Sequence, residues 1–210
     1  MEYLDYLKIL QNDIHSVVLA TNDKNGHPVT AYMDVMYADE GGIYFLTSRG
    51  KEIYRRMNCN EYVSLSGMTG SDFFHSTMMT VQGKIRNIGN SRVKELFDAN
   101  PYMYKIYPDE DNRGVIEVFQ IYEGQGEYSD FSVQPPVRRQ FTFGGRELKR
   151  SGYYIEDGCT GCGICEQKCP MRCIAKGTPY LINEENCLRC GNCYEVCPAK
   201  AVRKRGEDNE

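Results

Sequence analysis

Residues 159–170 read CTGCGICEQKCP, and residues 187–198 read CLRCGNCYEVCP. Both stretches follow the spacing C-x2-C-x2-C-x3-C-P, and each cysteine of the first recurs 28 positions later in the second, as Cys159 does at Cys187. Nine of the ten cysteines of the chain lie between Cys159 and Cys197, and only Cys59 lies outside this interval. Thiols at such short, fixed intervals are typical ligands of iron–sulfur clusters. The C-terminal part of the chain is therefore predicted to bind metal clusters.

The repeated spacing is that of bacterial two-cluster ferredoxins, which predicts two [4Fe–4S] clusters with crossed ligation. Three cysteines of one copy surround one cluster, and the fourth, followed by proline, ligates the other. Glycines beside the cysteines let the backbone curl closely around the cluster. We expect two ligand sets, one formed by Cys159, Cys162, Cys165 and Cys197 and the other by Cys187, Cys190, Cys193 and Cys169.

Structural zinc and disulfide bonds are the alternatives for these cysteines. Zinc sites use paired C-x2-C motifs with four ligands per ion, and they need neither the third cysteine nor the terminal proline. Disulfides are disfavoured in a reducing compartment. Cys173 corresponds to Ala201 under the repeat, so we expect a small buried position rather than a ligand. Cys59 is expected to pack as a small apolar residue.

The composition is typical of a soluble globular protein. The chain has 210 residues, of which 41% are hydrophobic and 26% charged, and its net charge is −4. A nucleic-acid partner is not expected, because no basic excess would neutralise phosphates. No apolar run approaches the roughly 18–20 residues that span a bilayer, and the N-terminus lacks the features of a signal peptide. We therefore predict a cytoplasmic protein without a membrane partner.

Residues 1–131 are predicted to form a mainly β domain with a few helices. Short strands joined by tight turns, such as Asp23–Gly26, favour a closed barrel. Residues 132–150 are predicted to be a linker, and residues 151–210 a small α+β ferredoxin-type domain. The expected elements of the first domain are helices at 3–12, 51–57 and 91–99, and strands at 15–22, 29–37, 43–47, 62–67, 79–88, 113–122 and 126–131.

Three segments of the first domain resemble the FMN-binding split β-barrel of the pyridoxamine 5′-phosphate oxidase-like superfamily. They are GHPVTAYMDVMY at 26–37, GGIYFLTSRGKEIYRRM at 41–57 and NEYVSLSG at 60–67. Joined to the cysteine-rich part, the barrel is similar to flavin/iron–sulfur proteins of anaerobes. The resemblance implies FMN as a cofactor and a homodimer, since flavin sites of this family form between two subunits.

The stretch TSRGK at 47–51 is a candidate phosphate-binding site. Thr47 and Ser48 supply hydroxyls, Arg49 and Lys51 supply positive charge, and the first N–H groups of the following helix are free to bind an anion. A helix cap on a solvated face is the alternative. The resemblance implies that Thr47, Ser48 and Lys51 hold the FMN phosphate, with Arg49 a weaker candidate, and that Thr30, Ala31, Tyr32 and Met33 lie along the flavin ring.

The chain departs from true pyridoxamine-phosphate oxidases in its C-terminal part. Those enzymes carry a Trp-rich segment with an Arg-x-His pair, whereas this chain has no tryptophan and its three histidines lie early, the last at His75. Vitamin B6 oxidation is therefore not expected, and the sequence identifies no catalytic residue. The linker, with five basic residues, is either a solvated tether or a docking surface for the acidic cluster domain.

Three functions fit these features. The first is an FMN-dependent oxidoreductase in which a redox partner such as a ferredoxin feeds the clusters, and FMN reduces or oxidises a small molecule. The second is an electron-carrier module without a substrate of its own. The third is a binding or redox-sensing protein whose barrel holds haem or a deazaflavin.

Overall fold

The computed structural model of the protein describes residues 1–206. The chain folds into two compact units. The first comprises Met1–Tyr128 and Phe141–Glu147, and the second comprises Ser129–Gln140 and the described part of Leu148–Glu210. The interval predicted as a linker is therefore shared between both units in the structure, and it contains a β-strand. The functional domain boundaries stay a prediction.

The first unit holds an antiparallel sheet and most of the helices. Helix α2 shows why its sequence folds this way, since Ile53 and Met57, four residues apart, are buried on one face. The helices are α1 (Tyr3–Ile9), continued by a π-helical turn (Leu10–Ile14), α2 (Glu52–Cys59), α3 (Val93–Ala99) and α4 (Met103–Ile106), with 3₁₀ turns at Phe73–His75 and Glu110–Val115. The strands are β1 (Ser16–Asn22), β2 (Pro28–Asp34), β3 (Tyr37–Asp39), β4 (Gly42–Ser48), β5 (Tyr62–Met68), β6 (Thr77–Asn87), β7 (Ile116–Asp130) and β8 (Val137–Phe143). The last two residues of β7 and the first four of β8 are counted with the second unit.

Across residues 1–206, these eight strands form one sheet in the order β2-β1-β5-β6-β7-β4-β3, with β8 also paired to β7. The sheet curls, because β2 packs near β4 as well as beside its neighbour β1. Alternate residues of β6, such as Met79, Val81 and Ile85, are buried and face the core. The predicted mainly β fold, a split β-barrel with few helices, is confirmed.

Strand β7 differs from the prediction, which divided it into strands at 113–122 and 126–131. Gly124 and Gly126 indicate a turn in the sequence, yet both lie inside one continuous strand. A Cβ atom at Gly124 would collide with the ring of Phe143, and one at Gly126 with the ring of Phe141. The glycines are therefore needed because aromatic side chains of β8 pack over them.

The second unit is a small α+β structure, as predicted. Its elements are β9 (Tyr153–Ile155), α5 (Ile164–Lys168), β10 (Ile174–Ala175), β11 (Leu181–Ile182), a 3₁₀ turn (Glu184–Asn186), α6 (Asn192–Glu195) and β12 (Val202–Lys204). Strand β9 pairs with β12, and β10 pairs with β11. The 28-residue repeat is visible in the backbone, since Gly163 and Gly191 precede α5 and α6 with φ of 75° and 80°.

Among residues 1–206, no helix combines the length and the apolar character needed to cross a membrane.

Candidate functional site

A cavity of about 370 Å³ lies in the first unit, beside the end of β4 and the start of α2. Strand β2 forms one wall, and the segment around α4 forms another. Five of the predicted FMN residues line the cavity, namely Tyr32, Met33, Thr47, Ser48 and Lys51. The fold therefore brings together most of a set that the sequence divides between two separate strands and the start of a helix.

The hydroxyl of Thr47 is the most informative group in this cavity. Thr47 is 4% exposed, and its Oγ1 atom has no hydrogen-bond partner among the described residues. A buried hydroxyl without a partner costs roughly 1–3 kcal/mol. Because Thr47 is one of the residues that line the cavity, a bound molecule or water there would supply a partner for the hydroxyl once the side chain turns toward it.

Ser48 and Lys51 extend the polar wall that Thr47 begins. Lys51 is the residue that precedes α2, its side chain is exposed, and its N–H donates to the Ser48 carbonyl at 3.0 Å. Two residues with hydroxyl groups and one with an ammonium group thus line one cavity, just before the start of α2. This donor set fits a phosphate group.

The other three predicted FMN residues do not line the cavity. Thr30 and Ala31 lie earlier on β2. The Arg49 guanidinium donates to the carbonyl of Gly114 at 2.8 Å and lies 3.5 Å from Glu117. Arg49 therefore stabilises the end of β4 against the segment that precedes β7.

Sequence reasoning missed Asp34 as a cavity residue. The Tyr102 hydroxyl and the Ser16 hydroxyl each donate to the Asp34 carboxylate at 2.7 Å. Burial acts to raise the pKa of Asp34, but these two hydrogen bonds prevail and lower it. Burial first, and then the bond to Asp34, raise the pKa of Tyr102. At neutral pH the pair is thus a carboxylate and a neutral phenol at the edge of the cavity.

Tyr102 and Tyr107 also line the cavity, together with Met103 and Ile106 of the α4 segment. The sequence signal was an unusual density of tyrosines after residue 100, which fits core packing equally well. Asp34 and Tyr102 lie 68 positions apart, so their hydrogen bond depends on the tertiary fold.

The cysteines of the second unit surround two further cavities. We call them cavity A and cavity B and keep these names below. Cavity A is lined by Cys159, Cys162, Cys165 and Cys197, and cavity B by Cys169, Cys187, Cys190 and Cys193, together with Cys173. Apart from Cys173, each cavity is lined by the four cysteines of one predicted ligand set. Four thiols around one cavity fit a [4Fe–4S] cluster.

Backbone groups point at ligand sulfurs in both cavities. The N–H of Arg189 donates to Cys187 Sγ, and the N–H of Ala201 donates to Cys197 Sγ, both at 3.3 Å. Such bonds stabilise negative charge on sulfur. Within residues 1–206, no group of three or more His, Cys, Asp or Glu is arranged to hold a single metal ion.

The two remaining cysteines differ from each other. Cys173 is 8% exposed, as expected for a small buried position, and its Sγ lies 3.5 Å from that of Cys169. A hydrogen bond between Cys173 and Cys187 lowers the pKa of Cys187 to about 6 and raises that of Cys173. Cys59 is exposed at the end of α2, so the expectation that it packs as an apolar residue is wrong; a terminal helix position leaves its side chain in solvent.

The basic residues of the predicted linker make local contacts. Arg138 donates to the carbonyl of Leu188 at 3.0 Å, and Arg139 pairs with Glu185 at 3.1 Å, all within the second unit. Arg146 donates to Gln125 within the first unit at 3.4 Å. His75 is exposed in a 3₁₀ turn, where Asp72 lies 2.8 Å from its ring. Of the residues in these contacts, only Leu188 lines one of the three cavities, namely cavity B.

The structure is similar to solved proteins of one fold. A NimC/NimA family protein from Clostridium acetobutylicum is 22% identical, with a TM-score of 0.54, over 67% of this chain and 90% of its own. A heme binding protein from Mycobacterium smegmatis is 15% identical, with a TM-score of 0.50, over 68% of this chain and 57% of its own. A pyridoxamine 5′-phosphate oxidase-related, FMN binding protein from Nostoc punctiforme is 10% identical, with a TM-score of 0.47, over 66% and 87%. At these identities the likeness to the first two proteins shows the fold alone.

Family patterns match both parts of the chain. The family described as pyridoxamine 5′-phosphate oxidase matches residues 6–122, which is more than half of the chain. The 4Fe-4S binding domain matches residues 180–203, which include the second cysteine run. No curated protein matches the chain. A fold that supports flavin binding, joined to a 4Fe–4S domain, indicates redox or electron-transfer function. The chain therefore belongs to the pyridoxamine 5′-phosphate oxidase family and carries a 4Fe–4S binding domain in its C-terminal part.

Proposed function

We propose that this protein is a flavin/iron–sulfur oxidoreductase. Two [4Fe–4S] clusters exchange electrons with an external one-electron carrier of the ferredoxin class, and FMN exchanges them with a small molecule. The observation that carries the proposal is the buried, unpartnered hydroxyl of Thr47 in a cavity whose wall also includes Ser48 and Lys51. This donor set fits the phosphate of a flavin mononucleotide.

The residues of each site have separate tasks. Thr47, Ser48 and Lys51 would hold the FMN phosphate, and Tyr32 and Met33 would lie along the flavin ring. The Asp34 carboxylate orients the Tyr102 hydroxyl, which places a protonated phenol at the edge of the same cavity. In each of cavities A and B, four cysteine thiolates would hold one cluster. The protein would act as a homodimer in the cytoplasm.

The electron count explains why the two cofactors belong together. Clusters exchange one electron at a time, whereas FMN exchanges one or two and can link one-electron carriers to a two-electron substrate. In the reducing direction, two single electrons from the external carrier and two protons from solvent would reduce one acceptor molecule. In the oxidising direction, one donor molecule would release two electrons to the external carrier and two protons to solvent.

An electron carrier without its own substrate is the second candidate. In that case the flavin would be one more relay, and any acceptor would reoxidise it at a similar rate. A small molecule that reoxidises the flavin much faster than one-electron dyes do would favour the enzyme. Cofactor analysis separates FMN directly from the haem and deazaflavin alternatives.

Cofactor content is the decisive test. Protein purified without oxygen is expected to release FMN at about one per chain and to contain about eight irons, as two [4Fe–4S] clusters do. Extraction with acid, followed by chromatography, identifies the flavin, and iron and sulfide assays count the clusters. Recovery of haem or a deazaflavin, or of no flavin at all, would contradict the proposal.

Thr47→Val is expected to have opposite effects on the two forms of the protein. Valine removes a buried hydroxyl that has no partner, so the FMN-free protein should gain about 1 kcal/mol of stability. The same change removes a phosphate donor, so FMN should bind about five- to tenfold more weakly. Thermal unfolding of the FMN-free protein and a flavin titration measure the two effects.

Thr21→Val is the matched control for Thr47→Val. Thr21 is also buried on a strand, but its hydroxyl donates to the Val29 carbonyl and accepts from Arg56 at 2.9 Å. Its loss should lower stability and leave FMN affinity unchanged. If Thr47→Val destabilised the FMN-free protein as Thr21→Val does, the Thr47 hydroxyl would have a partner within the protein.

A further inference from the structure

We propose that Cys173 is a hydrogen-bond donor to the cluster of cavity B and gives that cluster the higher reduction potential of the two. Electrons entering the second unit would therefore settle in cavity B. The inference rests on the proposed two-cluster function, and the experiment below separates the failure of one from the failure of the other.

The position of Cys173 suits a donor better than a ligand. Its side chain lines cavity B, is 8% exposed, and lies with its Sγ 3.5 Å from Cys169 Sγ. Cavity B already has four cysteines from the crossed set, one for each iron of a cube. Cys173 is the fifth cysteine of the cavity, and a thiol that keeps its proton can donate to a neighbouring thiolate. Burial keeps water from competing for that bond.

The internal repeat makes cavity A a natural comparison. The residue equivalent to Cys173 is Ala201, which is 3% exposed and whose N–H donates to Cys197 Sγ at 3.3 Å. A methyl group has no proton to donate to sulfur. At the position of Ala201, cavity A thus has a backbone donor and no side-chain donor, and its hydroxyl-bearing lining residues, Thr160 and Tyr180, lie elsewhere in the repeat.

Two charged residues next to the ligand cysteines also favour a higher reduction potential in cavity B than in cavity A. Arg189 follows Cys187 by two positions and donates its N–H to that sulfur, whereas its equivalent in the first copy is Gly161. Glu166 follows Cys165 in cavity A, whereas its equivalent beside cavity B is Tyr194. At these two positions the repeat places a cation by cavity B and an anion by cavity A, whereas Glu195, which follows Cys193 by two positions and is equivalent to Gln167, adds an anion by cavity B.

Hydrogen bonds to ligand sulfurs and nearby positive charge favour the reduced cluster, because it carries one more electron. Negative charge has the opposite effect. When an electron moves from cavity A to cavity B, the first cluster is oxidised by one electron and the second is reduced by one, and no proton is required. The asymmetry would give the second unit a preferred direction of internal electron transfer.

The test is a redox titration of the full chain, followed by electron paramagnetic resonance without oxygen. The wild-type protein should show two one-electron midpoints. Cys173→Ala should lower the higher of the two midpoint potentials. At a fixed potential, the ratio of reduced to oxidised cluster should fall about five- to tenfold, and a tenfold fall corresponds to about 59 mV. The lower midpoint and the iron content should not change. Cys173→Ser retains a donor and should stay close to wild type.

Ala201→Cys supplies the reciprocal test. It places a thiol beside Cys197 and should raise the lower midpoint, which narrows the gap between the two. Unchanged midpoints in Cys173→Ala, or in Ala201→Cys if the first variant does not fold, would overturn the proposal. Loss of one cluster in both Cys173→Ala and Cys173→Ser would make Cys173 a ligand and also overturn it. A wild-type protein with fewer than two clusters would instead contradict the proposed function.

Discussion

Cys197→Ser is expected to remove the cluster of cavity A, although Cys197 belongs to the sequence run that supplies most of cavity B. Cys197 lines cavity A with Cys159, Cys162 and Cys165. A serine hydroxyl is a poor substitute for a thiolate ligand, so the iron content should fall from about eight to about four per chain. Iron and sulfide assays measure the fall.

Hydrogen exchange identifies which cluster is lost. Amides of residues 159–165 should lose protection in Cys197→Ser, whereas those of residues 187–193 should retain more of it. The reverse pattern would show that each cysteine run holds its own cluster, which would contradict the crossed ligation. Cys59→Ser is the matched control, because Cys59 is exposed and lies outside both cavities; it should leave the iron content unchanged.

Removal of both clusters should unfold the second unit. Its buried core contains few apolar side chains apart from the cysteines themselves, chiefly Ile174, Tyr180 and Val202. A unit of this size rarely folds on such a core, so metal–ligand bonds supply much of its folding free energy. The first unit has its own large core around Leu7, Phe45 and Phe119 and should keep its sheet after chelation.

The grouping of the cysteines around two cavities could be predicted from the sequence because it is encoded in local spacing. Positions three residues apart reach one cluster, and the proline after the fourth cysteine turns the chain away. For Cys173, spacing alone does not predict which residues surround the side chain. The repeat correctly indicated a small buried position, but only the tertiary fold shows that its sulfur lies beside Cys169.

The barrel could be predicted less completely, because its strands depend on packing between distant segments. Gly124 and Gly126 have the composition of a turn, and only the rings of β8 explain why they lie within a strand. Strand β8 itself was missed, since Pro135-Pro136 and several basic residues resemble a linker. Likewise, the hydrogen bond between Asp34 and Tyr102 joins residues that no local pattern relates.

The proposed phosphate-binding residues could be predicted less completely than the grouping of the cysteines and more completely than the strands of the barrel. A strand that ends in Thr47 and Ser48, followed by a helix, correctly placed three groups at one cavity. Arg49 has the same charge and nearly the same position as Lys51, yet Gly114 and Glu117 hold its guanidinium elsewhere. Because those contacts come from a segment 65 or more positions away, the sequence alone ranked the two cations only by resemblance.

Lys51→Ala is therefore expected to weaken FMN binding about ten- to hundredfold, the effect of losing one charge-assisted hydrogen bond of roughly 1.5–3 kcal/mol. Titration of FMN into flavin-free protein, followed by flavin fluorescence, measures the change. Iron content should stay the same, since Lys51 is in the first unit and the cysteines are in the second. Lys51→Arg keeps the charge and should restore much of the affinity.

Two comparisons show whether Lys51 acts on the phosphate. Riboflavin has the same ring without the phosphate, so Lys51→Ala should leave its binding nearly unchanged. Arg49→Ala removes the neighbouring cation, whose guanidinium is bonded to Gly114 instead of facing the cavity, and it should have little effect on FMN. An equal loss of FMN and riboflavin affinity would show that Lys51 contacts the flavin ring or stabilises the fold, and does not bind the phosphate. A larger loss of FMN affinity in Arg49→Ala than in Lys51→Ala would show that Arg49 contacts the phosphate, because the stronger electrostatic partner must lie closer to the anion.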